Sequence, residues 1–235
     1  IAIGLLLTLA CCGPDPVTRA SEEPWSTKQN SVRSLNDAGL PPSRPQGPMA
    51  VHGETVHARA MNILSEALES NDPFMRANAI ESMKYAQRED LAFAVRIGLG
   101  DENRGVRFVS AMLIGESKLC DNALLLQPLI HDQSESVQAA VLYSLYRCGE
   151  QVNLNPLVHM LNSEDPELRG NAALVLGRMN NPSAIAVLHA ASHDVMEGIL
   201  PIRRRLINLQ LSEALVILGE KDELQVIRAA VFSSA

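Results

Sequence analysis

A pattern of residues recurs every 31 positions along the chain, and this internal repeat limits the possible folds more than any other feature. Each unit begins with a residue type that is preferred at a helix N-cap, and an arginine or glutamine follows four positions later. Apolar or small residues then follow at the spacing of one helix face. The aligned columns are Asp72, Asn103, Ser134 and Asp165; Met75, Val106, Val137 and Leu168; Arg76, Arg107, Gln138 and Arg169; Ala79, Ser110, Val141 and Ala172; and Met83, Ile114, Leu145 and Leu176.

Residues 164–179, EDPELRGNAALVLGRM, show how one unit encodes a helix. Asp165 at the N-cap can accept a hydrogen bond from a free backbone N–H of the first turn. Pro166 at the first helical position costs nothing, because its missing N–H would be unpaired there. We expect Gly177 near the end to act as a left-handed cap.

A second set of apolar columns keeps the same period and precedes each N-cap. Each unit of 31 residues has room for two helices of about 11–12 residues. One helix pair cannot bury its own apolar face, whereas stacked pairs can, so we predict an all-α fold, an α-solenoid of about five stacked helix pairs. The second set is Leu64, Val95, Leu126, Leu157 and Leu188, with Leu68, Leu99, Ile130 and Leu161.

The repeated phrase resembles the short HEAT-like repeats known from phycobilisome lyases, whose pattern is roughly D-P-x-x-V-R-x-x-A-A-x-A-L-G. The segment DPELRGNAALVLG at 165–177 matches this pattern closely, DPFMRANAIESM at 72–83 matches well, and NRGVRFVSAMLIG at 103–115 matches moderately. The segment SESVQAAVLYSL at 134–145 lacks both the aspartate and the arginine. The resemblance covers about residues 54–220 and implies a HEAT-like solenoid, a fold that hosts many unrelated functions.

The resemblance also implies that the repeated aspartates and arginines are structural and help to cap and link neighbouring helices. The alternative is a row of arginines that grips an anion, and Gln138 interrupts such a row. The residues concerned are Asp72, Arg76, Arg107, Asp165 and Arg169.

Residues 1–12, IAIGLLLTLACC, form an apolar run that is too short to span a bilayer and is typical of the core of a secretory signal. The run ends in LTLACCG, which resembles a bacterial lipobox, so we expect lipidation at Cys11 or, alternatively, at Cys12. An ordinary signal peptide with incidental cysteines is the other interpretation. Since an initiator Met and a basic region are missing, we expect that the sequence is truncated at its start.

Residues 13–52 are predicted to be a disordered linker, because seven of the chain's 13 prolines lie between positions 14 and 48 among many polar residues. The solenoid is then expected at 53–235. The formal net charge of −7 argues against sequence-independent nucleic-acid binding. A lipid anchor, a spacer and a folded domain would place the protein on the periplasmic or outer face of a bacterial envelope.

Cys120 and Cys148 lie in predicted turns, three residues out of register with the repeat. An exported protein could oxidise them, but their Cα atoms would have to come within about 7 Å. We therefore expect buried or free thiols rather than a disulfide.

The first candidate binding site is an apolar stripe on the second helices, which in HEAT-like solenoids usually line the concave side. The stripe occupies positions that the family pattern leaves variable, and an exposed apolar patch of this kind marks an interaction site. The alternative is that these side chains pack against the next repeat as core. The stripe consists of Phe108, Val109, Met112, Tyr143 and Leu174, with Val216 as its expected continuation.

The second candidate site lies where the period breaks. The phrase ALVILG comes 42 residues after ALVLG, which places eleven extra residues around 194–205. We predict one long helix from Pro201 to Leu218, and insertions in solenoids often lie on the binding face. Arg203, Arg204 and Arg205 could bind an acidic partner or lipid head groups, or they could form a solvated face.

Enzymatic interpretations lack the residues that they need. His131-Asp132 and His193-Asp194 lie two periods apart, too far for a shared metal ion, and are predicted to be turn residues. We find no catalytic constellation, no nucleotide-binding phrase and no zinc spacing in the solenoid, so we expect neither a metal nor another cofactor.

The sequence therefore predicts a non-catalytic scaffold that binds a protein partner, is exported and is lipid-anchored. One alternative is an enzyme or enzyme subunit of the chromophore lyase or isomerase type, suggested by the family resemblance alone. Another is a structural element of a larger envelope complex.

Overall fold

The computed structural model describes residues 55–194 and 198–232. Within these ranges the chain forms ten α-helices and four 3₁₀ segments, and it contains no β-strand. The α-helices are α1 (Val56–Leu68), α2 (Pro73–Ser82), α3 (Arg88–Gly98), α4 (Arg104–Glu116), α5 (Glu135–Arg147), α6 (Asn155–Leu161), α7 (Pro166–Met179), α8 (Ile185–Ser192), α9 (Pro201–Ile217) and α10 (Leu224–Phe232). The 3₁₀ segments are Met83–Tyr85, Cys120–His131, Pro182–Ala184 and Lys221–Glu223.

The elements stack in chain order, in the compact unit that contains the residues from Ile63 onward. One layer consists of the second helices α2, α4, α5, α7 and α9, each packed on the next. The first elements of repeats 2 to 5, which are α3, the long 3₁₀ segment Cys120–His131, α6 and α8, each pack on the second helix of their own repeat. The predicted all-α solenoid of stacked pairs is therefore confirmed.

The repeated N-caps begin the second helices as predicted. The side chains of Asp72, Asn103 and Asp165 each accept a hydrogen bond from the backbone N–H two residues on, at 2.9, 2.8 and 2.9 Å. Ser134 holds the same position before α5 but makes no such bond. Three of the four repeats thus use the side-chain cap that satisfies a free donor of the first turn.

Gly177 does not end its helix, so this detail of the prediction is wrong. It lies inside α7, and the left-handed residue that ends the helix is Asn180 with φ 55°. A Cβ at Gly177 would lie 2.8 Å from the Cα of Ala214 on α9. The glycine is therefore required for the close approach of two helices.

Most residues of the predicted apolar columns form the core, although Met75 in repeat 1 is 50% exposed. In the second helices, one column is buried throughout and consists of Ala79, Ser110, Val141 and Ala172. In the first elements Val95, Leu126, Leu157 and Leu188 are fully buried. At about 1.5–3 kcal/mol for each fully buried leucine, these columns dominate the free energy of folding.

An arginine–aspartate ladder joins consecutive repeats. Arg76 binds the carboxylate of Asp101 through two hydrogen bonds of 2.7 Å, and Arg107 binds Asp132 at 2.8 and 2.9 Å. Arg169 donates to Asp194 at 2.9 Å. Each arginine reaches an aspartate 25 residues further on, which lies in the turn before the next second helix. The prediction that these arginines are structural is supported by these contacts.

Each rung of the ladder also fixes the chain around the N-cap. Arg76 and Arg107 donate to backbone carbonyls six residues earlier, at 2.8 Å each. Asp101 and Asp132 in turn accept the backbone N–H two residues on, at 2.8 Å each. Because the hydrogen bonds that Arg76 donates to Asp101 favour the charged guanidinium, they raise the pKa of Arg76 against the opposing effect of burial.

The ladder loses one rung in repeat 3. Gln138 stands in the arginine column and keeps only the contact to the carbonyl six residues earlier, at Asp132, 2.7 Å away. The position 25 residues further on is Ser163, whose hydroxyl accepts the N–H of Asp165. The cation and its carboxylate are therefore missing together, so no buried charge is left unpaired at this rung.

The insertion in repeat 5 is shorter in the stack than the sequence phrase indicates. Gly115 approaches Ser144, 29 positions further on, and the equivalent Gly177 approaches Ala214, 37 positions further on. The insertion is therefore eight residues long, and not eleven. Glu213, not Val216, follows Leu174 in its column. The glycine of ALVILG is not equivalent to Gly177. Gly219, at φ 108°, lies after the end of α9 and does not pack against a neighbouring helix.

The long helix α9 begins at Pro201 as predicted, and a sixth repeat begins with α10.

Cys120 and Cys148 form a disulfide with a Cα–Cα distance of 5.4 Å, so the expectation of free thiols is wrong. Cys120 begins the first element of repeat 3, and Cys148 follows the end of α5 in the same repeat. These two ends of an antiparallel pair lie side by side, although the cysteines are three positions out of register with the repeat.

We predict that Arg107→Ala lowers the free energy of unfolding by about 2–3 kcal/mol, because it leaves the carboxylate of Asp132 buried without its cation. The matched control is Gln138→Ala in the same column, which removes one neutral hydrogen bond and should cost about 1 kcal/mol. Urea unfolding of the full chain followed by far-UV circular dichroism compares them. Equal losses in both variants would contradict a role for the ion pair.

We predict that the Cys120→Ser/Cys148→Ser double variant is less stable by about 3–4 kcal/mol, because the disulfide closes a loop across 28 positions. Urea unfolding with and without dithiothreitol measures the difference. Dithiothreitol should shift the wild-type midpoint to that of the double variant and leave the variant unchanged. Alkylation of both thiols in the unreduced, denatured protein would refute the disulfide.

Candidate functional site

The stripe predicted on the second helices is not a surface. Phe108, Val109, Met112, Tyr143 and Leu174 are all between 1% and 6% exposed. The prediction of an exposed apolar groove at these residues is therefore wrong, and the alternative that they pack as core is the correct one.

Two ion pairs explain why the stripe is covered. At the start of α4 and α7, Arg104 contacts Glu167 at 3.1 Å. At the other end of the same two helices, Glu116 contacts Arg178 and also accepts from Lys84 at 2.9 Å. Both pairs connect repeat 2 to repeat 4 across α5, which packs against both helices. They hold the two helices over the apolar side chains between them.

The space that remains beneath these pairs is small. The cavity has a volume of about 20 Å³ and is lined by Phe108, Met112, Leu174, Glu116 and Arg178, among others. A volume of that size holds about one water molecule. The covered stripe therefore leaves no room for a partner's side chain.

The charged groups around the stripe act on one another inside the protein. Burial lowers the pKa of Arg178, while Glu213 and Glu81 oppose this effect. Burial likewise raises the pKa of Glu213, and Arg178 opposes it. Burial also raises the pKa of Tyr143, so its hydroxyl stays protonated at neutral pH. These Coulombic interactions connect Arg178 in repeat 4 with Glu81 in repeat 1 and Glu213 in repeat 5.

The second candidate site is a surface. Arg203, Arg204 and Arg205 are exposed in the first turns of α9, which begins with Pro201. None of the three forms an ion pair with any residue of the described ranges. The flanking apolar residues are exposed as well, and they are Leu200 at 67%, Ile202 at 61% and Leu206 at 43%. Positive charge and apolar surface therefore occur together just after the insertion that precedes α9.

His193-Asp194 follows the end of α8 as predicted, whereas His131 is the last residue of the 3₁₀ segment Cys120–His131 and Asp132 follows it. The two aspartates have a structural role that the sequence did not predict. Asp132 and Asp194 are carboxylates of the ladder. A signal was present, because Asp101, Asp132 and Asp194 fall in one column of the 31-residue period. The column was overlooked because its pairing with the arginines follows from the stacking of helices, which the period alone does not specify.

The described residues contain no group of three or more His, Cys, Asp or Glu side chains that could hold a metal ion. No helix within the same ranges is long and apolar enough to cross a membrane. The predicted lipidation sites Cys11 and Cys12 and the predicted linker 13–52 lie outside the described residues.

A family model of HEAT repeats matches residues 122–197, which extend from the 3₁₀ segment of repeat 3 to the insertion in repeat 5. No curated protein matches the sequence. The match covers repeats 3 and 4 and the first helix of repeat 5, and within it the rung Arg169–Asp194 joins repeats 4 and 5. The chain therefore folds as an α-solenoid of stacked helix pairs, and residues 122–197 of it match HEAT repeats.

Proposed function

We propose that the protein is a scaffold that binds a protein partner through the start of α9, and that it is exported and lipid-anchored. HEAT repeats commonly mediate protein–protein interaction, and the match to them supports a binding role. The partner's surface would carry carboxylates beside apolar side chains.

The observation that carries this proposal is the joint exposure of Leu200, Ile202 and Leu206 with the three consecutive arginines. Arginine is enriched at protein interfaces and binds carboxylates through two parallel hydrogen bonds. Three neighbouring cations repel one another and oppose the helix dipole at this end of α9, so a bound acidic surface would relieve both effects. The chain as a whole carries a formal net charge of −7, which makes this basic patch a local exception.

Export is supported by the disulfide between Cys120 and Cys148, because such bonds persist in oxidising compartments and are rare in the cytosol. The lipobox-like phrase at Cys11 and Cys12 supports an anchor.

We predict that the Arg203→Glu/Arg204→Glu/Arg205→Glu variant captures at least tenfold less of its partner than the wild type does. The reason is that charges at the rim of an interface steer and select an acidic surface. The full chain would be immobilised and incubated with an envelope extract, and captured proteins would be quantified by mass spectrometry. Capture by the wild type should also fall as salt is raised, since exposed charge pairs are screened.

The matched control is Arg59→Glu/Arg96→Glu/Arg228→Glu, which makes the same change of charge at three exposed arginines elsewhere. It should capture the partner as the wild type does, and far-UV circular dichroism should show equal helicity in all three proteins. Equal capture by both variants would exclude the start of α9 as the site. Binding to anionic vesicles without a captured protein would replace the protein partner by a membrane surface.

A further inference from the structure

We propose that a pocket between repeats 3 and 4 binds an extended, uncharged peptide segment that carries a large apolar side chain. The pocket has a volume of about 510 Å³, within the range of about 300–1,000 Å³ that is usual for ligand sites. It lies apart from the start of α9, so it goes beyond the binding site proposed above.

The pocket opens at the missing rung of the ladder. Gln138, which replaces the arginine of the other repeats, lines it. Its Nε2 donates to the carbonyl of Asp132, and its Oε1 accepts no hydrogen bond from the described residues. Repeat 3 thus presents a neutral amide where repeats 1, 2 and 4 have a paired arginine.

A late helix start makes the room. In repeat 2 the first helix α3 begins at Arg88, and the equivalent position in repeat 4 is Glu150. The first helix α6, however, begins only at Asn155, and residues 150–154 are not helical. The delay has a local cause, because Pro156 favours a helix start and Asn153 accepts the backbone N–H of Asn155 at 3.0 Å. The missing turns leave the flank of α5 uncovered.

The floor of the pocket is apolar. It includes Ile130, Leu142 and Leu145, with Val152 and Pro156 on the side of the non-helical segment. Leu142 is only half-buried, whereas residues at the equivalent positions in repeats 2 and 4, which are alanines, are fully buried. An apolar side chain from a ligand would complete the burial of Leu142.

The rim of the pocket is rich in amides. The side chains of Gln127, Gln138, Gln151 and Asn153 lie around the apolar floor. Those of Gln127 and Gln151 are exposed and make no hydrogen bond to the described residues. A side-chain amide both donates and accepts, as a peptide group does, so this rim matches an extended backbone.

Charge excludes the common alternatives to a neutral peptide. The titratable groups that line the pocket are one imidazole, at His131, and one carboxylate, at Glu150. A phosphate or a strongly acidic peptide would meet the carboxylate of Glu150 without a cluster of cations to offset it.

The disulfide holds the walls of the pocket together. Cys148 follows α5, which carries Gln138, Leu142 and Leu145, and Cys120 begins the 3₁₀ segment that carries Gln127, Ile130 and His131. A covalent link between the two walls pre-organises the site, which reduces the entropy lost on binding. Reduction of the disulfide should therefore weaken binding.

The test uses a phage library of random dodecapeptides, panned on the oxidised full chain after depletion on the Val152→Arg variant. Arginine at this half-buried, non-helical position would occupy the mouth of the pocket. Peptides that carry a large apolar residue and little net charge should be enriched. Enrichment of none would overturn the proposal.

Fluorescence anisotropy then compares the affinity of an enriched peptide for each variant. We predict at least a tenfold loss with Val152→Arg and with Gln127→Ala/Gln151→Ala, and at least a threefold loss on adding dithiothreitol. The matched control Leu124→Arg places the same side chain at an exposed position of the 3₁₀ segment that does not line the pocket, and it should bind within twofold of the wild type.

The same peptide also separates this proposal from the function proposed above. Its affinity for the Arg203→Glu/Arg204→Glu/Arg205→Glu variant should equal that for the wild type. Loss of binding only in that variant would place the peptide at α9 and refute the pocket. Unchanged affinity in both pocket variants, with unchanged helicity, would refute it as well.

Discussion

The arginine–aspartate ladder fixes how repeats 1 and 2, 2 and 3, and 4 and 5 meet. Apolar burial favours stacking but is not directional, so it does not by itself fix how one repeat meets the next. A guanidinium that binds a carboxylate 25 residues away and a carbonyl six residues back has only one geometry in which all bonds form. The same carboxylate at Asp101 also orders the N-cap of its own repeat. Each rung therefore couples a helix start to its neighbour.

The fold was predictable from the sequence because the repeat is a pattern in one dimension. The N-caps Asp72, Asn103 and Asp165 and the core columns need only local helix geometry, and the structure agrees with them. Contacts between repeats were not predictable in this way. The disulfide, the pairing of arginine with aspartate and the role of Gly177 all depend on which helix ends and faces meet in the stack.

The candidate site shows the same limit. A helical wheel indicates that Met112, Tyr143 and Leu174 share a face, but it does not indicate what covers that face. In the structure, helices two repeats apart close over it through Arg104–Glu167 and Glu116–Arg178. An apolar stripe would be unusual on a solvent-exposed face, and in the structure the stripe is buried. Arg203, Arg204 and Arg205, in contrast, are exposed as the insertion suggested.

Both proposed binding sites lie where the repeat departs from its own rule. In a regular repeat the ladder arginine is paired with a carboxylate of the next repeat, and the apolar face of the helix pair is buried against its neighbours. The insertion before α9 adds apolar and basic side chains that have no equivalent position to pack against. In repeat 3, Gln138 and Ser163 remove a charged rung together, and the late start of α6 exposes the flank of α5. Because cation and carboxylate are lost as a pair, the stack avoids a buried unpaired charge while opening a pocket. A repeat that differs from the others without disrupting the stacking can therefore provide a binding site for a ligand.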